Sequence, residues 1–321
     1  MGSKIVFVTQ FPAAAEFARE LVPAGYDLVI AEAASPAYKT ALADAEYLVG
    51  FVDMLVNDEL FARGPNLRLV QLLSAGYDNA DIAAARKAGV PVSNNGGANS
   101  VAVSEHALLL MLAVSRKLVR QHADVAAGRW RGNETPKLHE LRNKTLGIIG
   151  LGTIGRKTAR LALAFGMEVI YFDIARLSEG EEDALGVRFR LLREILRESD
   201  LISLHVPLNS STRHMIGAAA LAEMKPAAML INTSRGPVID EAALYDSLTS
   251  GGIAAAGLDV FDQEPPAADN PLLRLDNVIL TAHMAGPTFE SNKVRVRNAF
   301  DNVQRVSRGD APLWIIPELK T

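Results

Sequence analysis

Short apolar runs alternate with amphipathic stretches along most of this chain. In its first third, residues 5–9, 27–30, 47–51 and 69–73 are strand-like runs, and 91–93 is a short last strand. Between them, Pro12–Leu21, 37–43, Asp58–Arg63 and 81–88 carry the spacing of helices. Residues 100–120 read as one long helix, with Asn99 or Ser100 as its cap. Its middle is apolar on nearly all sides, so burial between layers or between subunits is expected. Residues 128–141 are polar and irregular. The alternation then resumes, with strands at Thr145–Ile149, Glu168–Phe172, 201–206, 228–232, 255–260 and 278–281. Helices are expected at 153–165, 241–249 and Phe289–Ser307. No repeat of solenoid period is present.

Strand–helix alternation of this kind predicts an α/β protein whose parallel sheets carry helices on both faces. The plan that follows is two doubly wound domains. A Rossmann dinucleotide-binding domain, residues 100–286, is inserted into a flavodoxin-like substrate domain built from residues 1–99 plus 287–321. The tail 313–321 is expected to return to that first domain. Two crossings between domains imply a cleft, a usual place for a small-molecule site.

The most informative stretch is T-L-G-I-I-G-L-G-T-I-G at 145–155. A strand runs into Gly150-x-Gly152-x-x-Gly155, and a helix opens at Thr153 and Ile154. Gly150 permits a tight turn, Gly152 lets backbone approach a pyrophosphate, and Gly155 lets the helix lie close on the strand. The helix N-terminus offers N–H groups to phosphate. Asp173 follows the next strand, where a carboxylate accepts both ribose hydroxyls of an adenosine. Its charge repels a 2′-phosphate, which favours NAD over NADP. A solvated turn acid is the plain alternative for Asp173. The first domain has Thr9-Gln10-Phe11-Pro12 after its first strand, so it holds no second site of this type.

Composition narrows the picture. The 321 residues are 49% hydrophobic and 22% charged, with net charge −4. The acidic balance argues against a nucleic-acid-binding face. With no cysteine there is neither disulfide nor thiolate metal site, which fits a reducing, cytoplasmic setting. The start M-G-S-K-I-V-F-V-T reads as a strand and lacks a signal peptide's apolar core. Residues 108–114 are very apolar, but Glu105, His106, Arg116 and Lys117 bracket them, so the run is too short for a membrane span. No histidine spacing suggests a metal.

Three groups that can do chemistry follow predicted strands of the second domain: Arg235, Glu264 and His283. In an open α/β sheet the carboxyl ends of strands face the ligand. Reducing a carbonyl to an alcohol needs hydride on carbon and a proton on oxygen. A histidine can deliver that proton near neutral pH, and an adjacent carboxylate favours its charged form. A guanidinium offers a planar fork to a carboxylate and can polarise the neighbouring carbonyl. Singly, each residue also reads as a loop or turn residue; the combination behind a glycine turn is what points to a site. His205 ends a strand and either lines the adenine pocket or belongs to the core. His106 lies in the apolar helix and reads as hydrogen-bonded structure. Ser74-Ala75-Gly76 follows a strand of the first domain; its N–H groups either bind a carboxylate or form an ordinary turn.

Taken together, G-I-I-G-L-G-T-I-G, Asp173, H-V-P-L-N, I-N-T-S-R-G-P-V-I-D, G-L-D-V-F-D-Q-E-P and T-A-H-M-A-G resemble the D-isomer-specific 2-hydroxyacid dehydrogenases. S-A-G-Y-D-N-A-D and N-S-V-A-V-S-E-H-A-L match the family's first domain and linking helix, so the resemblance covers nearly the whole chain. It implies Arg235, Glu264 and His283 as the catalytic set. It implies NAD contacts at Ile154, Asp173, Pro207, Thr212, Thr233 and Asp259, the last near the nicotinamide amide. It also implies that Ser74, Ala75 and Gly76 hold the substrate carboxylate by backbone, and that the protein is a homodimer through the cofactor domain and the long helix. Ala282 departs from the pattern, standing where the family often has proline before the catalytic histidine. The implied activity is hydride transfer between NAD(H) and a 2-keto or D-2-hydroxy acid. The other reading is an NAD-sensing transcriptional corepressor of the same fold, because such proteins can retain the triad; length and the lack of added tails favour the enzyme.

Overall fold

The structure, a computed structural model, describes residues 2–131 and 137–320. Residues 132–136 of the expected polar excursion lie outside the described residues. The chain divides into two units, Met1–Asn99 with Pro287–Thr321, and Ser100–Gly286.

In the first unit, β1 (Ser3–Val8), α1 (Pro12–Leu21), β2 (Tyr26–Ala31), α2 (Pro36–Leu42), β3 (Tyr47–Gly50), α3 (Asp58–Arg63), β4 (Leu69–Leu72), α4 (Ile82–Ala88) and β5 (Val92–Ser93) follow in order. The strands form one sheet in the order β2-β1-β3-β4-β5, and every described pairing is parallel. Alternate residues of each strand feed opposite cores, as a period of two requires. Val6, Leu48 and Leu72 pack with Leu42, Leu60 and Ile316 on one face. Ile5, Phe7 and Val49 pack with Phe17, Phe300 and Val303 on the other. The C-terminal helix Phe289–Ser307 supplies Val296, Ala299, Phe300 and Val303 to that second core, a single helical face. Beyond it, the Ile316 N–H donates to the Val92 carbonyl at 3.1 Å, which ties the tail to β5.

The second unit opens with α5 (Ser100–Arg116) and α6 (Leu118–Ala126). Then come β6 (Thr145–Ile149), α7 (Thr153–Ala164), β7 (Glu168–Phe172), α8 (Glu179–Leu185), β8 (Val187–Phe189), α9 (Leu192–Glu198) and β9 (Leu201–Leu204). It closes with α10 (Ala218–Ala222), β10 (Met229–Asn232), α11 (Glu241–Ser250), β11 (Ala255–Leu258) and β12 (Val278–Leu280). Its parallel sheet has the order β12-β11-β10-β9-β6-β7-β8. The order reverses beside β6, so the crevice at the β6 and β9 carboxyl ends is the expected ligand position. Both sheets are thus the doubly wound kind expected from the alternation, the first with flavodoxin-like order and the second with Rossmann order. α5 lies against β10 and β11, where a Cβ on Gly257 would stand 3.0 Å from Leu110 Cβ. Glycine there sets how close helix and sheet approach.

One expectation needs correction. The helix expected over 100–120 breaks at Lys117, whose φ is 49°. The Lys117 N–H turns back to the Val114 carbonyl at 3.2 Å, and α6 restarts at Leu118. α5 is apolar around most of its surface and buried, whereas α6 has no buried residue. A left-handed residue between them takes the chain out of the packed layer.

Candidate active site

The glycine turn has the geometry its residues require. Gly150 sits at φ 95°, a conformation open to glycine but not to a β-carbon. A Cβ on Gly155 would stand 2.2 Å from the Gly150 carbonyl oxygen, so α7 closes on the turn only with glycine there. A Cβ on Gly152 would meet nothing within 4 Å; the space over the turn is open. Gly152 is also the N-cap of α7 and offers no side chain to its first N–H groups. Thr153 is exposed and Ile154 half-buried in that first turn. At the end of β7, Asp173 accepts hydrogen bonds from the Leu151 N–H at 2.6 Å and the Ala175 N–H at 2.9 Å. Its carboxylate is therefore held at the turn itself.

Two further groups at strand ends support a bound dinucleotide. His205, after β9, contacts Ser203 Oγ through Nε2 at 2.9 Å, while its buried Nδ1 has no hydrogen-bond partner. Burial drives its pKa from 6.5 to about 4, so the ring is neutral at physiological pH. Thr233, after β10, is buried with Oγ1 likewise unpartnered. Buried polar atoms normally find partners, and orphans at the carboxyl ends of β9 and β10 fit a polar ligand. Pro207 and Thr212 bound the loop after β9, where Thr212 Oγ1 donates to the Pro207 carbonyl at 2.7 Å. That hydrogen bond closes the loop on itself. The residues present therefore fit a dinucleotide.

The three groups expected to carry the chemistry are linked. His283 Nδ1 lies 2.7 Å from Glu264 Oε2. Glu264 Oε1 accepts from the Phe261 N–H at 3.1 Å, which fixes the carboxylate. Burial pushes the Glu264 pKa up, but the hydrogen bonds from His283 and Phe261 and the nearby charges of His283 and Arg235 outweigh it and hold it below the usual glutamate value. Glu264 therefore stays ionised at neutral pH. An ionised carboxylate can only accept, so Nδ1 carries a proton and Nε2 is left for a ligand. Roughly half of the His283 side chain is exposed. Arg235 follows β10, with Nη1 donating to the Ser234 carbonyl at 2.7 Å and its own carbonyl accepting from Asn232 Nδ2 at 2.9 Å. At the next residue, a Cβ on Gly236 would stand 1.8 Å from the Phe261 carbonyl oxygen. Glycine thus seats the arginine segment against the backbone that also anchors Glu264.

Asp259, expected near the nicotinamide amide, is a buried acid with a full set of donors. It is 1% exposed, and its carboxylate accepts from Thr281 Oγ1, the Met284 N–H and the Ala285 N–H at 2.6, 2.8 and 2.9 Å. In the structure it holds the loop that carries His283. In the first unit, the carbonyls of Ser74, Ala75 and Gly76 accept from the Asn95 N–H, Asn94 Nδ2 and Ser74 Oγ. None of the three N–H groups of that loop donates to a described residue. A loop with its acceptors satisfied and its donors available suits an anion.

Known proteins resemble this chain over most of its length. A sequence profile of the D-isomer specific 2-hydroxyacid dehydrogenase NAD binding domain matches residues 108–285. A glyoxylate reductase of Korarchaeum cryptofilum is 40% identical over 272 residues, covering 84% of this chain and 82% of the relative. A hydroxypyruvate reductase of Thermotoga maritima is 42% identical over 240 residues, covering 74% of this chain and 77% of the relative. The crystal structure of a D-lactate dehydrogenase from Aquifex aeolicus, complexed with NAD and lactic acid, superposes with a TM-score of 0.80 at 30% identity. It covers 95% of this chain and 96% of its own. The chain belongs to the D-isomer-specific 2-hydroxyacid dehydrogenases. It is an NAD-dependent oxidoreductase of that class.

Proposed function

We propose that this protein reduces a small 2-keto acid, with glyoxylate and hydroxypyruvate as the leading candidates, to the D-2-hydroxy acid with NADH. The observation that carries the reading is the 2.7 Å contact between His283 and an ionised Glu264 within the field of Arg235. When bound, NADH supplies the hydride to the carbonyl carbon. His283 Nε2 delivers the proton to the carbonyl oxygen, and Glu264 holds the imidazole in the required orientation and favours its charged form. Arg235 binds the substrate carboxylate and polarises the carbonyl. We assign the Ser74–Gly76 loop of the first unit a carboxylate-binding role through its N–H groups. The dinucleotide is held by Gly150, Gly152, Thr153, Ile154 and Gly155 at the turn and by His205, Pro207, Thr212 and Thr233 beyond it. Asp173 selects NADH over NADPH by charge. The cysteine-free composition suits a reducing compartment, and we place the protein in the cytoplasm.

The test is loss of NADH absorbance with a panel of glyoxylate, hydroxypyruvate, pyruvate and larger 2-keto acids. His283→Ala should cut turnover about 100-fold or more while NADH binding persists, since general acid catalysis contributes roughly 10²–10⁴-fold. Wild-type turnover in that variant removes His283 from the mechanism. NADH binding without turnover of any panel member would favour a cofactor-sensing corepressor instead.

A further inference from the structure

The loop that aims His283 is held in a way its own sequence does not explain. His283 sits at φ 53°, a left-handed conformation that side-chain-bearing residues avoid. Such a residue keeps that conformation only when its surroundings over-determine it. The preceding residue is Ala282, so no proline ring restrains the approach. The restraint comes from Asp259. Its backbone carbonyl accepts from the His283 N–H at 2.7 Å, and its carboxylate accepts from the Met284 and Ala285 N–H groups.

Asp259 is itself braced. Thr281 Oγ1 stands 2.6 Å from Asp259 Oδ1 and 3.0 Å from His106 Nε2, on α5. The arrangement fixes the protons. The Asp259 carboxylate accepts from two backbone N–H groups and from Thr281, so the single hydroxyl hydrogen of Thr281 goes to it. Thr281 Oγ1 can then only accept from His106, and Nε2 must carry a hydrogen. His106 Nε2 also lies 3.6 Å from Asp259 Oδ1, within ion-pair distance of that buried carboxylate. His106, Thr281 and Asp259 thus form a directed chain from a helix packed on the sheet to the backbone of the proton donor.

We propose that His106 is a positioning residue for His283, acting through Thr281 and Asp259. α5 lies against β11 and β12, so it gives the loop after β12 a rigid reference. The inference rests on His283 as proton donor, and the experiment separates the two. His106→Leu and Thr281→Val should each lower kcat about 10-fold, because misplacing a reacting group by a fraction of an ångström is costly to the chemical step. NADH affinity and KM for the keto acid should change little. His106→Gln places an amide N–H near the Nε2 position, and Thr281→Ser keeps the hydroxyl; both should recover most of kcat. A general loss of packing would not be repaired selectively by the donor.

Wild-type kcat in His106→Leu overturns the proposal. So does His106→Gln as impaired as His106→Leu at equal melting temperature. If His106→Leu fails to fold, the Thr281→Val against Thr281→Ser comparison, with His106→Gln, decides in the same way. Full activity in His283→Ala would instead overturn the proton-donor reading itself.

Discussion

Asp173 braces the glycine turn, and we propose that the same side chain selects the cofactor. Its oxygens accept from Leu151 and Ala175 N–H groups, so the carboxylate is already fixed beside the glycine turn. Under the proposed role, a ribose there would meet acceptors for its hydroxyls and a 2′-phosphate would meet a negative charge at short range. Asp173→Ala should weaken NADH binding strongly and NADPH binding little, narrowing the ratio of their dissociation constants by about 10-fold or more. Equal losses for both, measured by fluorescence titration, would make Asp173 a turn-stabilising acid only. The placement of Asp173 beside the turn was readable in the sequence because it depends on a local distance along the chain, one strand past the turn. The bracing contacts of Asp259 were not. The residues that use it, Thr281, Met284 and Ala285, lie 22 to 26 positions away, and His106 meets Thr281 across 175. His106 was legible only as a satisfied histidine on an apolar helix, which it is; what it satisfies is a fact of tertiary packing.

At the scale of elements, the glycines of the β6–α7 turn divide into two kinds that substitution can separate. Gly155 is required by the protein, because a β-carbon would collide with the Gly150 carbonyl. Gly152 is required by nothing in the chain, since a β-carbon there meets no atom within 4 Å. Gly155→Ala should therefore destabilise the fold by about 1–3 kcal/mol, the usual range for overpacking. Gly152→Ala should leave the melting temperature near wild type and weaken NADH about 10-fold, because the methyl group enters space reserved for phosphate. Calorimetry with NADH titration checks both; unchanged NADH affinity in Gly152→Ala would move the dinucleotide away from this turn. Such elements were visible because strand, turn and helix each carry a local signature. α8 and β8 were not. The segment E-G-E-E-D-A-L shows no apolar face, yet Ser178 and Glu181 form a reciprocal cap and its first-turn acids suit the helix N-terminus. β8 is three residues long with Arg188 at its centre, too short to show alternation. The break at Lys117 escaped for a related reason, because lysine gives no sign of a left-handed turn.

For the molecule as a whole, the surface of α5 and α6 is the part the chain leaves unfinished. α5 is mostly buried, yet Val101 and Leu109 on it are about half exposed, as are Leu118, Val119 and Val125 on α6. α6 buries none of its residues within the described chain. An amphipathic helix with an uncovered apolar side usually marks an association site. A second copy of the chain is the occupant we expect, giving a homodimer through the cofactor unit. A stable interface of this sort buries on the order of 1,600 Å², with an apolar core free of unpaired charge. Val119→Asp places a carboxylate on that apolar side, and burying it in an interface would be costly. Light scattering should therefore give about twice the 34.5 kDa chain mass for the wild type and a single chain mass for Val119→Asp. Arg235, Glu264 and His283 all lie in one unit of one chain. The dissociated variant should for that reason still bind NADH, which distinguishes a lost interface from a lost fold. A wild type that scatters as a single chain at micromolar concentration would show that the apolar side of α6 serves some other contact.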